Sequence, residues 1–126
     1  MLDMYLYRCR KGDRTAGRTE LACWRKANQI RRWFAENLEG FEDNGDTVVP
    51  REKIVELLAV CKVVSESHLP TVAKKLLPVG EGPFFGPTIY DYKYFEVVDY
   101  TISRLTNVLR LCNDDTYDIV YCEWWG

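Results

Sequence analysis

Apolar residues recur along this chain at two spacings, and the switches between them mark out its elements. The opening stretch LDMYLYRCR (2–10) alternates, with Met4 and Leu6 set against Tyr5, Tyr7 and Cys9, which predicts a strand. KGDRTAG (11–17) is polar, carries two glycines and reads as a loop. Beyond it the spacing becomes helical. At 100° per residue, Cys23, Trp24, Ala27, Ile30, Phe34 and Leu38 fall on one stripe. That stripe predicts a first helix over about 20–39, capped by Thr19, with Glu20 in its positive first turn and Gly40 stopping it. Pro50 suits the start of a second helix over about 50–67, whose core positions are Ile54, Leu57, Leu58, Cys61 and Val64. HLP (68–70) breaks it, and TVAKKLLPVGEG (71–82) holds a short helix at most. A third long helix starts at Asp91 and ends near Cys112, before NDD. Its seam is Phe95, Val98, Ile102, Leu105 and Leu109, flanked by Tyr94 and Thr101. YDIVYCEWW (117–125) alternates again as a strand.

Two end strands enclosing three helices predict one α+β domain over residues 1–126. Its three main helices pack on a small antiparallel sheet formed by the N- and C-terminal strands. A lone two-stranded ribbon is marginal in water and needs such a cover. PFFGPTI (83–89) is a candidate third strand, confined to an edge by its prolines.

Charge changes the picture more than length does. The net charge of the 126 residues is −2, which argues against direct duplex DNA binding. Residues 1–35 hold nine Lys/Arg against three Asp/Glu, a net of +6, and the remainder carries −8. A basic first third on an acidic remainder offers a local anion site; equally, the two regions attract one another across the fold. Five cysteines, at 9, 23, 61, 112 and 122, show no C-x-x-C spacing. An odd count without that spacing predicts thiols rather than a disulfide framework, and no structural metal site. The acidic turn GFEDNGDTVV lacks the ligand order of a calcium loop. No apolar run approaches a membrane span and no signal peptide opens the chain, so a cytoplasmic protein is expected. His68, the one histidine, stands at a helix end and reads as a capping or surface residue.

Two segments carry candidate binding chemistry. Placed on the predicted first helix, Glu20, Trp24, Asn28 and Arg31 form one ridge, with Arg31 interrupting the apolar stripe. A guanidinium there, beside an amide and an indole face, suits an anion or base clamp. An Arg beside a core stripe also serves simply by pairing with a carboxylate while its stem covers apolar surface. The second segment is GPFFGPTIYDYKYF (82–95), with six aromatic residues. If it is extended, Phe84 and Phe85 cannot both point inward, so one faces solvent or a ligand. Thr88, Tyr90 and Asp91 add polar groups, although Asp91 or Thr88 equally serves as the cap of the following helix. No nucleophile elbow, P-loop or zinc-protease motif is present, so a binding protein without a cofactor is expected rather than an enzyme.

The residues LDMYLYR, CWRKANQIRRWF, LLP and GPFFGPTIYDYKYFEVVDYT resemble a family of small uncharacterised phage and prophage proteins. Members combine an LDMYL start, a W-R-K-A-N-x-I segment and a late F-F-G-x-T-x-Y-D segment. The resemblance covers most of the chain, apart from 11–18 and the tail after 112. This chain has Arg31 where many relatives have His, and Pro87 where they often have Ser, which removes a catalytic His from that position. The resemblance implies an accessory phage protein acting in the host cytoplasm. The leading expectation is a host-defence inhibitor, anti-CRISPR-like or related, that binds a host defence protein; its acidic 36–126 region suits a basic groove. The alternative is a sponge for a small anionic ligand, a phosphorylated or nucleotide signal, held by Arg31, Arg25 or Lys26 with the Phe84–Phe85 loop. A small enzyme of unknown chemistry is the third.

Overall fold

The computed structural model describes residues 1–13, 17–113 and 115–126. The elements run β1 (Asp3–Arg10), β2 (Thr19–Arg25), α1 (Asn28–Asn37), β3 (Asp46–Val49), α2 (Arg51–Ser67), α3 (Pro70–Leu76), α4 (Tyr92–Leu111) and β4 (Tyr117–Trp124). The four strands form one antiparallel sheet in the order β2-β1-β4-β3. The terminal strands are neighbours, as expected, with Asp3 opposite Trp124 and Arg10 opposite Tyr117. The fold is α+β.

Alternation places Met4, Leu6, Ala22, Trp24, Ile119 and Tyr121 in the core. The buried residues of the helices join them there: Ile30 and Phe34 of α1, the whole expected stripe of α2, and Phe95, Val98 and Leu105 of α4. The opposite sheet face leaves Tyr5, Tyr7, Cys23 and Cys122 half-buried. His68 is the left-handed C-cap of α2 and stacks on Phe95 at 4.2 Å. Among the described residues, no helix is long and apolar enough to cross a membrane.

The predicted first helix is corrected. Its first turn and a half is β2, and α1 begins only at Asn28, after Lys26 turns the chain with φ 54°. Thr19 therefore caps nothing, and α1 has no side-chain cap. TELACWR fits both spacings, because Ala22 and Trp24 face the core in a strand as Trp24 and Ala27 would in a helix. Pairing decides it. β1 has a second edge, and a ladder of hydrogen bonds there outweighs a weak local helix preference. A bulge between Leu6 and Tyr7 takes up the register. The outer edge of β2 is closed by α4: Tyr100 Oη accepts from the Cys23 amide at 3.1 Å, and Arg104 donates twice to the Leu21 carbonyl.

Two further expectations change. Asp46–Val49, read as part of a turn, is a strand that extends the sheet beside β4. PFFGPTI forms no strand; it is a turn, closed by the Phe85 amide on the Gly82 carbonyl. The short helix allowed after His68 is α3, and α4 has its N-cap at Asp91. The predicted loop 11–17 and the NDD stop include positions 14–16 and 114, which lie outside the described residues.

Candidate functional site

With β2 a strand, the Glu20–Trp24–Asn28–Arg31 ridge does not exist. Trp24 and Asn28 line one groove while Glu20 and Arg31 lie elsewhere, and Asn28 and Arg31 organise the molecule.

Arg31 lies on α1 and points toward the end of β4. Its Nε and one terminal nitrogen donate to the two oxygens of Glu123 at 3.0 and 3.1 Å, and it also meets Asp43 at 2.6 Å. Glu123 has a fully buried side chain. Its oxygens also accept from Tyr121 Oη (2.8 Å), the Asn44 amide (2.9 Å) and Trp125 Nε1 (2.9 Å). Burial pushes this carboxyl's pKa up, but the hydrogen bonds from Arg31, Asn44, Trp125 and Tyr121 outweigh it and hold the group below its usual range. Phe41 and Phe85 lie against the Arg31 guanidinium, 5.2 and 4.9 Å from its carbon. So Arg31 is an ion-pair residue with its Nε and one terminal nitrogen engaged, and it lines neither of the two pockets described below. Together with Arg18–Asp46, these pairs join the basic first third to the acidic remainder.

Asn28, at the start of α1, is the clasp of the 79–91 segment. Its amide nitrogen donates to the carbonyls of Phe85 and Pro87, both at 2.9 Å, and its oxygen accepts from the Gly80 amide at 3.2 Å. Tyr90 Oη accepts from the Val79 amide, and Arg32 donates to the Val79 carbonyl. Gly86 is required twice over. Its φ is +84°, and a Cβ there would stand 2.9 Å from the Cβ of Lys26. The WRKAN and FFGPTIYD segments thus pack against one another.

Between them opens a groove of about 760 Å³. One wall is the end of β2 and the start of α1: Cys23, Trp24, Arg25, Lys26, Asn28 and Gln29. The other is Pro87, Ile89 and the first half of α4, with Tyr92, Lys93, Glu96, Val97 and Tyr100. Trp24 is held by its indole N–H on Thr101 Oγ1 at 2.9 Å, with Tyr100 edge-on to it. Asp91 lines the groove, but its carboxylate accepts from the amides of Lys93 and Tyr94, as the cap of α4.

Of the expected binding residues, the groove therefore gathers Trp24, Arg25, Asn28 and Asp91. It does not receive the other six. Glu20 sits on β2 beside a smaller pocket with Arg8 and Arg104. Thr88 is exposed outside it, and Tyr90 is committed to Val79 and to a ring contact with Tyr94. Phe84 and Phe85 both pack on Trp125, because the segment turns rather than extends, so neither is held out for a ligand. Lys93, Tyr92 and Tyr100 were missed. Their signal lay in α4, where Tyr92, Glu96 and Tyr100 recur four apart on a face separate from the Phe95–Leu105 seam.

Among the described residues, no cluster of three or more His, Cys, Asp or Glu could hold a metal. No disulfide links the cysteines. Burial pushes the thiol of Cys61 up to about 12, and burial with a hydrogen bond to Asp46 pushes that of Cys122 up to about 11. Comparison with protein-family models, with curated proteins and with solved structures returns no match to this chain.

Proposed function

We propose that this chain is a non-catalytic, host-directed protein of the phage accessory kind, and that it blunts host defence by capturing a component of it in the groove between WRKAN and α4. One observation carries the reading. Ile89 and Tyr92 are 63% and 66% exposed within a concave site that three cations line, an arrangement the fold itself has no use for. The titratable groups favour holding over turnover. The thiols are shifted away from the reactive thiolate, and the most buried carboxylate has its oxygens engaged by five donors.

The test uses a double variant, Tyr92→Ala with Lys93→Glu, since both side chains are exposed and neither is needed by the core. The parent is expected to restore phage plating in at least one defence-carrying strain of a panel. The variant should melt like the parent and lose that protection. A variant that protects as well as the parent overturns the groove as the functional site.

A second reading rests on a different surface. Val55 and Val63 are exposed on α2 among Glu52, Glu56 and Glu66, an acidic apolar face suited to a basic host protein. If it acts there, Val63→Lys abolishes protection and the groove variant does not.

A further inference from the structure

We propose that the occupant of the groove is a small anion of the nucleoside phosphate class, a planar base that carries a phosphate. This rests on the capture reading and specifies what is captured. Four features of the site converge on it.

The first is charge. Arg25 and Lys26 come from one wall and Lys93 from the other. Among the described residues, neither Lys26 nor Lys93 has a carboxylate partner, and Arg25 has only a loose contact with Asp3 at 3.4 Å. The lining holds two carboxylates. Asp91 is occupied with the amides of α4, which leaves Glu96 against three cations. On a chain whose net charge is −2, this is a local excess that an anion would neutralise.

The second is an amide waiting in the site. Gln29 is 4% exposed, lines the groove, and makes one long hydrogen bond, from its nitrogen to the Tyr94 carbonyl at 3.4 Å. Its oxygen has no donor in the protein. This oxygen reaches solvent, since among the described residues Asp3 Oδ1 alone is a buried side-chain polar atom without a partner, and it can there accept from a ligand N–H such as the edge of a base.

The third is the helix end. The ten-residue α1 starts at the groove with no side-chain cap and no acidic residue in its first turn. The amides of Asn28 and Ile30 already donate to the Lys26 and Ala27 carbonyls, so what this end offers a phosphate is the positive end of the helix dipole, with Lys26 fixed beside it by its left-handed backbone.

The fourth is shape. Tyr92, Tyr100 and Ile89 supply apolar and aromatic surface, and the volume falls within the range of small-ligand sites. Ring stacking and phosphate neutralisation require a ligand that carries both parts.

The experiment is calorimetric titration, with melting curves, against the four ribonucleoside 5′-monophosphates and their 3′,5′-cyclic forms. The uncharged nucleosides and inorganic phosphate alone are the control arms. At least one nucleotide should bind with a Kd below about 100 μM and raise Tm, while its nucleoside and free phosphate each bind at least about tenfold more weakly. Lys93→Glu should weaken that nucleotide about tenfold or more, and Gln29→Leu should change which base is preferred while charge dependence stays. The nucleotide should be recovered unchanged after incubation. Absence of binding by all eight at about 1 mM overturns the proposal, as does binding that Lys93→Glu leaves intact. If no nucleotide binds but the Tyr92→Ala, Lys93→Glu variant still loses phage protection, the groove remains the site and its occupant is a host protein. If nucleotides bind and that variant still protects, the ligand assignment stands and the capture reading falls.

Discussion

Glu123 carries a negative charge with no side-chain surface in contact with water, so its donors decide whether β4 can sit where it does. Removing one member of a buried pair leaves the other charge stranded, which typically costs about 3–5 kcal/mol. Glu123→Ala should cost this much, because Arg31 is then left between two rings with only exposed Asp43. The acid response follows from the lowered pKa. A carboxyl held below its unfolded value contributes stability that is present above that value and is lost as pH falls through the folded one. For Glu123 that loss begins below its ordinary value of 4.5. Glu123→Gln, which has no proton to take up, should therefore flatten the acid limb of the stability curve, read as urea midpoints between about pH 2 and 6. An unchanged acid limb would show that other groups set it. Asn28 offers a second test. Asn28→Ala leaves two carbonyls and an amide without partners, at about 1–3 kcal/mol for each buried group. Asn28→Asp should be worse at neutral pH despite its shape, because it turns an oxygen on the Phe85 and Pro87 carbonyls. Thermal melts of both variants decide it, and an aspartate that melts above the alanine refutes the clasp. These residues also mark where sequence reading stopped. The pattern made Arg31 conspicuous, but its partner is 92 positions away, and no local period connects them.

At the scale of elements, legibility followed how much of each element's choice was local. α2 and α4 announced themselves by long apolar stripes and by Pro50 and Asp91 at their starts. β1 and β4 alternate, apart from the bulge after Leu6 and the buried run Ile119–Tyr121. β2 did not, since seven residues compatible with both periods take their form from the neighbour they pair with. β3, four residues long, was hidden in a turn-rich stretch for the same reason. Reading β2 as helix moved Trp24 and Arg31 onto one face, and the predicted ridge was the result. Trp24, Arg25 and Asn28 of the WRKAN segment still line one groove, by another route. The same pairing logic gives a test at this scale. β4 supplies Ile119, Tyr121 and Glu123 to the core and lies between β1 and β3. Deleting residues 117–126 should abolish the cooperative melt; a truncated chain that still melts as one unit would mean that the β1–β2 hairpin and the helices suffice.

For the whole molecule, part of the division of charge between the first third and the rest is met internally. Arg18 and Arg31 pair with Asp46, Asp43 and Glu123, while Arg25 and Lys26 of the first third meet Lys93 of the remainder at the groove. The cysteines follow the packing in the same way. Three are buried and two half-buried, with raised pKa values at four of them. Alkylation of the unfolded, unreduced protein should label all five, and mass spectrometry that finds a stoichiometric bridge would contradict the free thiols of the fold.

The strand order has a further result for how the chain is made. The centre of the sheet joins β1, the first of the strands in chain order, to β4, the last of them. Until β4 has cleared the ribosome, β1 has one partner and an open edge, Arg31 has Asp43 but not Glu123, and β3 has nothing to pair with. A nascent chain of this design waits with its hydrophobic strands uncovered, and this sheet closes only after its last strand has emerged.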